Sequence, residues 1–427
     1  MKIKLCDKSS IATFKYIYLF IMVIYMAQIV PTTNRMVAGI GSPWFPFLLP
    51  IFLTILLLIF HPINFRKKKL WKLLLVCFIW EVAVTIEKRL LSASEQSFQF
   101  FLFYSIIMAY IHIQVYGKQL VPLYESIIVL LCKISLPCWL LSVLAPSVMS
   151  GIASLFPESN LGNNILFLFN YIDISSEHHL RNSGCSWEPG RFAIMIILGL
   201  FCNIIRNGKR INANAVWMIV TLLTTMSTTG YSIALFMYIL VILKRSKPTY
   251  RMLLLVIMLP LVFTLYNLDF MGQKISEQAN LSNTVPELYT RFNNASKYKA
   301  EGEYVQSLGR FESMYFEGLN VTKDPILGYG RNVKHSYFYQ SISSNYYLTG
   351  GLIKVFGMYG LILGLIFYTI LYKSSRRISR EFNCSNRSLL FLILILSSVS
   401  YEVFIVPIFM SFWLYDVFST HTEGLKE

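Results

Sequence analysis

Two arginines, a glutamate, two glycines and a proline crowd into Arg181-Asn182-Ser183-Gly184-Cys185-Ser186-Trp187-Glu188-Pro189-Gly190-Arg191. A planar guanidinium stays charged and grips phosphate oxygens in pairs, so arginines so close together suit a phosphorylated ligand. Glu188 could act as a base or serve as an arginine partner. The glycines and proline imply a fixed backbone shape. The same residues could instead make a salt-bridged turn in which Arg191 anchors a helix end.

A run of hydroxyls follows, Thr224-Thr225-Met226-Ser227-Thr228-Thr229-Gly230-Tyr231-Ser232. Such a run can line a polar cavity or cap helix ends. A third group is Gly309-Arg310-Phe311-Glu312, then Asp324-Pro325-Ile326-Leu327-Gly328-Tyr329-Gly330-Arg331, with His335 beyond. The spacing predicts a helix over about 310–320, ended by Asp324-Pro325, with Phe311, Tyr315 and Leu319 on one apolar face. Arg310 would project near the helix start, beside that face. The Gly-x-Gly fragment is no dinucleotide fingerprint, because no strand precedes it and no third glycine follows. An imidazole is a common acid or base, which would suit His335 to that role, although a lone loop histidine is also an ordinary surface residue. His178-His179 has no third ligand nearby and is not read as a metal site, so no metal is expected.

These residues must be held by the elements between them. The chain has 427 residues, 55% hydrophobic and only 14% charged. An ordinary soluble domain carries about 25% charged residues, and a disordered chain is far less apolar. The apolar residues come in blocks, and crossing a hydrocarbon core needs about 20 of them. Predicted spans cover 14–30, 44–61, 72–86, 98–115, 122–144, 191–206, 214–228, 230–244, 252–267, 347–372 and 388–414. The last block is long and contains Pro407, so it is read as a broken helix or a tight pair. The predicted class is therefore all-α, a polytopic integral membrane protein of eleven or twelve transmembrane helices, with a large extracytoplasmic loop containing short helices.

The net charge of +16 tests this layout. With the N-terminus cytoplasmic, most lysines and arginines fall on inside loops, as at Arg66-Lys67-Lys68-Lys69 and Lys373 to Arg387. Taking the C-terminus as outside, the outer segments come out close to neutral. The basic excess is thus a topology signal, and no nucleic-acid partner is expected. Of the seven cysteines only Cys185 lies on an outer loop, so no extracytoplasmic disulfide is available. The chain divides into N-terminal spans (1–144), an outer loop with the Arg/Glu motif (145–190), central spans (191–267), a large outer loop (268–346) and C-terminal spans (347–427). Glu81, Lys133, Lys354 and Glu402 fall inside spans, where ionisable groups usually face a polar interior. Glu125 is read as interfacial.

The Arg181-to-Ala193 block (Arg-x-x-Gly-x-x-x-Glu-Pro-Gly-x-x-Ala), Ser227 to Tyr231, and the loop with Gly-Arg-Phe and then Asp-Pro-Ile-Leu-Gly-Tyr-Gly resemble the O-antigen polymerase and ligase family of bacterial envelope polysaccharide assembly. Asn345-Tyr346-Tyr347 and Phe356-Gly357-Met358-Tyr359-Gly360 continue the resemblance, which is clearest over 181–360. It implies a multi-pass protein of the bacterial plasma (inner) membrane. The substrate would be an oligosaccharide on undecaprenyl pyrophosphate, used at the outer face without cofactor or metal. Membrane lipid and, by analogy, a chain-length regulator are the implied partners. Carried over by position, Arg181, Arg191, Arg310 and Arg331 would contact pyrophosphate. Ligase-like members often have a histidine just before the late Asn-x-Tyr, where this chain has Ser344. That departure favours a repeat-unit polymerase over a ligase.

The implied reaction is glycosyl transfer with pyrophosphate leaving. Fixed cations aimed at the growing charge are worth about 3–4 kcal/mol each by analogy with oxyanion donors. The acceptor hydroxyl needs a base, for which Glu188 and Glu312 are candidates and His335 the reserve. From another class, a lipid-linked oligosaccharide flippase or other transporter would rely on the intramembrane charges instead.

Overall fold

The computed structural model describes residues 8–29, 45–88, 100–156, 162–173, 176, 179–208, 212–245, 286, 288–290, 306–342, 346–404 and 406–419. The predicted span 252–267, Ser344 and His178 lie outside the described residues. Helices α1 (Lys8–Ile29), α2 (Phe45–Phe60), α3 (Lys68–Glu87), α4 (Phe100–Tyr116) and α5 (Leu120–Leu144) come first, followed by the short α6 (Pro146–Ala153). Next are α7 (Pro189–Asn207), α8 (Ala213–Thr224) and α9 (Thr228–Arg245). The segment from 306 to 342 contributes α10 (Arg310–Lys323) and α11 (Tyr337–Ser341). The chain then continues through α12 (Lys354–Glu381), α13 (Leu389–Ser400), α14 (Pro407–Trp413) and α15 (Tyr415–Phe418). Two small sheets supplement this all-α architecture. Strands β1 (Asn163–Ile165) and β2 (Phe169–Tyr171) pair antiparallel, and β3 (Gln306–Ser307) pairs parallel with β4 (Tyr346–Tyr347).

Among the described residues, three helical stretches are long and apolar enough to cross a membrane: Phe101–Leu144, Pro189–Asn207 and Lys354–Glu381. Shorter apolar helices include Ala12–Tyr25, Leu49–Phe60 and Leu389–Ser400. Unbroken apolar sequence favours helix in lipid because only there does each backbone group find its partner within the segment. Helix α7 is the centre of the packing, with every residue from Pro189 to Ile205 buried. It lies against α5, α8, α9 and α13. On α3 the outward side chains include Trp71, Leu75, Phe78, Ile79 and Ile86, all exposed. So large an apolar surface turned outward fits a membrane protein.

The contacts sort the helices between two ends. At one end Tyr116 donates to the Lys15 carbonyl (2.9 Å), and Arg206 pairs with Glu125 (2.5 Å). At the other end Lys88 pairs with Asp324 (2.8 Å), and Trp139 donates to the Leu180 carbonyl (2.9 Å). The last apolar block resolves as a pair. Helix α13 reaches the second end at Ser400, residues Tyr401 to Phe404 leave the helix, and Pro407 opens α14. Proline suits that first helical position, where its missing N–H costs nothing. The chain then returns to the first end, where the Tyr415 hydroxyl donates to Glu381 (2.7 Å) and Gln114 donates to the Phe418 carbonyl (2.6 Å). Phe418 and Lys15 therefore lie at the same end.

Helix α10 forms where expected and stops at Asp324 before Pro325. Its orientation differs from the apolar-face expectation. Phe311 and Tyr315 are exposed, whereas Ser313, Phe316, Glu317 and Asn320 are buried. The buried polar groups are bonded, which is what makes that face tolerable. Asn320 accepts from the Phe338 N–H (2.8 Å), and the Thr349 N–H donates to Ser313 (2.9 Å). Phe316 fills a small separate core with Leu288, Leu308, Phe338 and Leu348.

Candidate functional site

The segment before α7 is anchored to the hydroxyl run. Asn182 donates from its side chain to Thr224 Oγ1 (2.9 Å) and from its backbone to the Thr224 carbonyl (2.9 Å). Arg181 Nε donates to the Thr225 carbonyl (3.2 Å). Thr224 and Thr225 bond carbonyls of their own helix, and Ser227 accepts from the Gly230 N–H (3.1 Å). Those three hydroxyls therefore cap and close helix ends, which is the plainer of their two expected uses. Thr229 bonds to Arg310, and Tyr231 lies within electrostatic reach of Arg181.

Arg310, at the start of α10, donates to Thr229 Oγ1 (2.6 Å) and to Ser400 Oγ, and these two hydroxyls bond each other (2.8 Å). Its guanidinium lies 5.4 Å from the centre of the Tyr401 ring. The Tyr401 hydroxyl donates to Glu188 Oε1 (2.6 Å). Tyr401 thus stands between the glutamate of one motif and the arginine of another. Gly190 makes this approach possible, because a Cβ there would collide with the Tyr401 hydroxyl. Arg191 is 6% exposed and within electrostatic reach of Tyr401, Glu188 and Glu402. Burial lowers the pKa of Arg181, and nearby Arg310 adds to this, against the opposing pull of Tyr401 and Glu188.

Among the described residues, Arg181, Arg191 and Arg310 form no ion pair within 4.0 Å, whereas Lys88, Arg206, Lys354 and Arg377 each have a carboxylate partner. Three guanidiniums beside one Tyr–Glu pair, with hydroxyls alongside, are an arrangement chemically suited to a polyanion. Glu188, held by a phenol, is placed to take a proton from a group arriving there.

The other expected site residues are placed differently. Glu312 reaches back to the Gly309 N–H (2.8 Å) and caps α10. A glutamate at the third helical position commonly does this, and it gives Glu312 a structural task in place of the expected base role. Arg331 lies with its guanidinium 5.2 Å from the Phe101 ring centre, away from the Tyr401 cluster. His335 closes a short 3-10 turn from Val333, with its N–H bonded to the Asn332 carbonyl (2.9 Å). Of the charges expected inside spans, two meet each other. Lys354 pairs with Glu402, and the Lys133 ammonium lies 5.9 Å from the Trp217 ring centre. Glu125, expected at an interface, is 1% exposed and bonded by Arg206, Asn203 (2.7 Å) and Asn214 (3.3 Å). Glu317 is buried as well, and takes hydrogen bonds from Tyr329 (3.0 Å) and Asn320 (3.0 Å). Burial holds its carboxyl above the ordinary value, with Lys354 pulling the other way.

Sequence reasoning missed Ser400 and Tyr401. The available signal was a polar island, Ser397-Ser398-Val399-Ser400-Tyr401-Glu402, within an apolar block just ahead of Pro407. No protein-family model matches the chain, and no curated protein is significantly similar to it.

Proposed function

We propose that the protein is a polytopic membrane glycosyltransferase that polymerises oligosaccharide repeat units carried on undecaprenyl pyrophosphate, in O-antigen, capsule or exopolysaccharide synthesis. The observation that carries this reading is the convergence of Arg181, Arg191 and Arg310, free of ion-pair partners within 4.0 Å among the described residues, on the Tyr401–Glu188 pair. The motif resemblance over 181–360 agrees with it. On this reading the arginine-bearing end faces outward and the basic end faces the cytoplasm of a bacterial plasma membrane, with every apolar block crossing. A chain-length regulator is a partner by analogy.

In the reaction, an acceptor sugar hydroxyl attacks the anomeric carbon of the donor. The bond from that carbon to the pyrophosphate oxygen breaks, and the leaving oxygen takes the electron pair. Glu188 accepts the hydroxyl proton, while the three guanidiniums offset charge growing on the leaving group. No nucleotide is required, because the sugar arrives already activated on lipid. Ser344, in place of the ligase-type histidine, favours repeat-unit polymerisation over transfer to a different acceptor. The pairing of Lys354 with Glu402 and of Glu125 with Arg206 takes away much of the motive for a transporter, whose route would use those charges.

The test is Arg181→Ala and Arg310→Ala in cells, with membrane expression confirmed and glycan chain length measured. Single repeat units on lipid at the outer face are expected to accumulate, with long polymer reduced at least tenfold. Normal long-chain polymer from both variants would refute the site. Accumulation at the inner face on deletion of the protein would indicate a flippase, and full-length polymer left on carrier a ligase.

A further inference from the structure

Residues Tyr401 to Phe404 form no helix, yet they carry the side chain around which the arginines gather. Backbone bonds run from the Tyr401 N–H to the Ser397 carbonyl (3.1 Å), the Val403 N–H to the Tyr401 carbonyl (2.9 Å) and the Val406 N–H to the Val403 carbonyl (3.3 Å), and Phe404 is buried against Tyr359, Phe367 and Trp413. The next residue, Glu402, grips Lys354 at the start of α12. Lys354 also acts electrostatically on Glu317 of α10. One ammonium therefore stands between two carboxylates, one beside Tyr401 and the other two turns along the helix headed by Arg310.

A largely buried ion pair is a poor source of stability, because desolvation offsets most of its attraction. Its side chains are 14% and 28% exposed. What such a pair does supply is a defined arrangement of the parts that carry it. Here those parts are the turn with Ser400 and Tyr401, and the helix with Arg310.

We propose that Lys354 and Glu402, backed by Glu317, are positioning residues that hold Tyr401 and Arg310 in one geometry and so shape the anion site. The proposal rests on the arginine cluster's being a pyrophosphate site, and the experiment separates the two ideas. Purified full-length protein in detergent is titrated with inorganic pyrophosphate, with sulfate at matched ionic strength as the control, and the unfolding midpoint is followed. A ligand that binds only the folded state raises that midpoint by mass action. Wild type and Lys354→Arg are expected to rise by several degrees. Lys354→Met and Glu402→Gln are expected to need at least about tenfold more pyrophosphate for the same rise. Should Lys354→Met fail to fold because Glu317 loses its counter-charge, Glu402→Gln decides alone, since Lys354 then still faces Glu317. A wild-type rise matched by Glu402→Gln at the same concentrations overturns the positioning role and leaves the arginine site standing. No rise in wild type beyond the sulfate control overturns the arginine site and the positioning role with it.

Discussion

Tyr401 does two physically separable things, and substitution can divide them. Its hydroxyl makes a charge-assisted hydrogen bond to Glu188, and its ring lies beneath the Arg310 guanidinium. A hydrogen bond to a charged group is worth about 1.5–3 kcal/mol, which is roughly 10- to 100-fold in rate if lost in the transition state. If the proposed polymerase reading holds, Tyr401→Phe is expected to slow the reaction by about tenfold or more while keeping the protein folded. Tyr401→Ala, which also removes the ring and leaves space beside Gly190, should lower both rate and thermal midpoint. Rates on purified lipid-linked repeat units, read beside melting curves, distinguish these outcomes. Equal activity in wild type and Tyr401→Phe would remove the hydroxyl from the mechanism. The residues found by type alone divide in the same way. Arg181, Glu188, Arg191 and Arg310 meet, whereas Glu312 caps a helix and Arg331 lies over Phe101. Charge and spacing cannot tell a capping glutamate from a base, because both need the same carboxylate near a helix start.

At the scale of elements, two distant motifs prove to be halves of one joint. The Asp324-to-Gly330 loop lies on the 356–360 stretch, with the Tyr329 N–H bonded to the Gly357 carbonyl (2.9 Å) and the Leu361 N–H to the Pro325 carbonyl (2.8 Å). Gly360 breaks α12 with φ 73 and ψ 171, and a Cβ there would strike the Ile326 carbonyl oxygen. That backbone region is open almost only to glycine and costs other residues about 1–3 kcal/mol, before any clash. Gly360→Ala is expected to lower the thermal midpoint clearly. Gly318→Ala is the control: Gly318 sits within α10 with no atom within 4 Å of an added Cβ. Alanine should be neutral there or stabilise by up to about 1 kcal/mol. If the two substitutions behaved alike, the joint would not be rigid. Helix α10 itself was legible from its spacing, its start and its Asp-Pro stop. Its buried face was not, because Glu317 and Asn320 are buried only where Tyr329, Phe338 and Lys354 come to meet them.

For the whole molecule, the question is which end each terminus occupies. Lys15 and Phe418 both lie at the end that holds Arg206 and Arg377. Asp416 lies 3.6 Å from Arg377 there. If the basic end is cytoplasmic, a fluorescent-protein fusion after the last residue should glow and an alkaline phosphatase fusion should stay inactive. An active phosphatase at that position would refute the returning α14–α15 pair. The pair also matters to the site, since only a chain that leaves the helix at 401–404 can present Tyr401 to Glu188.

Composition and hydropathy determined that this chain is largely helical and rich in segments suited to lipid, because an unbroken apolar block leaves its backbone few other solutions. Residue types likewise marked out a group of arginines suited to an anion, since charge and planarity belong to the side chain itself. Which arginines meet, which glutamate is held for chemistry and which way the last helix runs were decided only in the tertiary structure. Those outcomes depend on contacts such as Tyr401 with Glu188, separated by 213 positions in the chain, and local spacing carries no record of such a meeting.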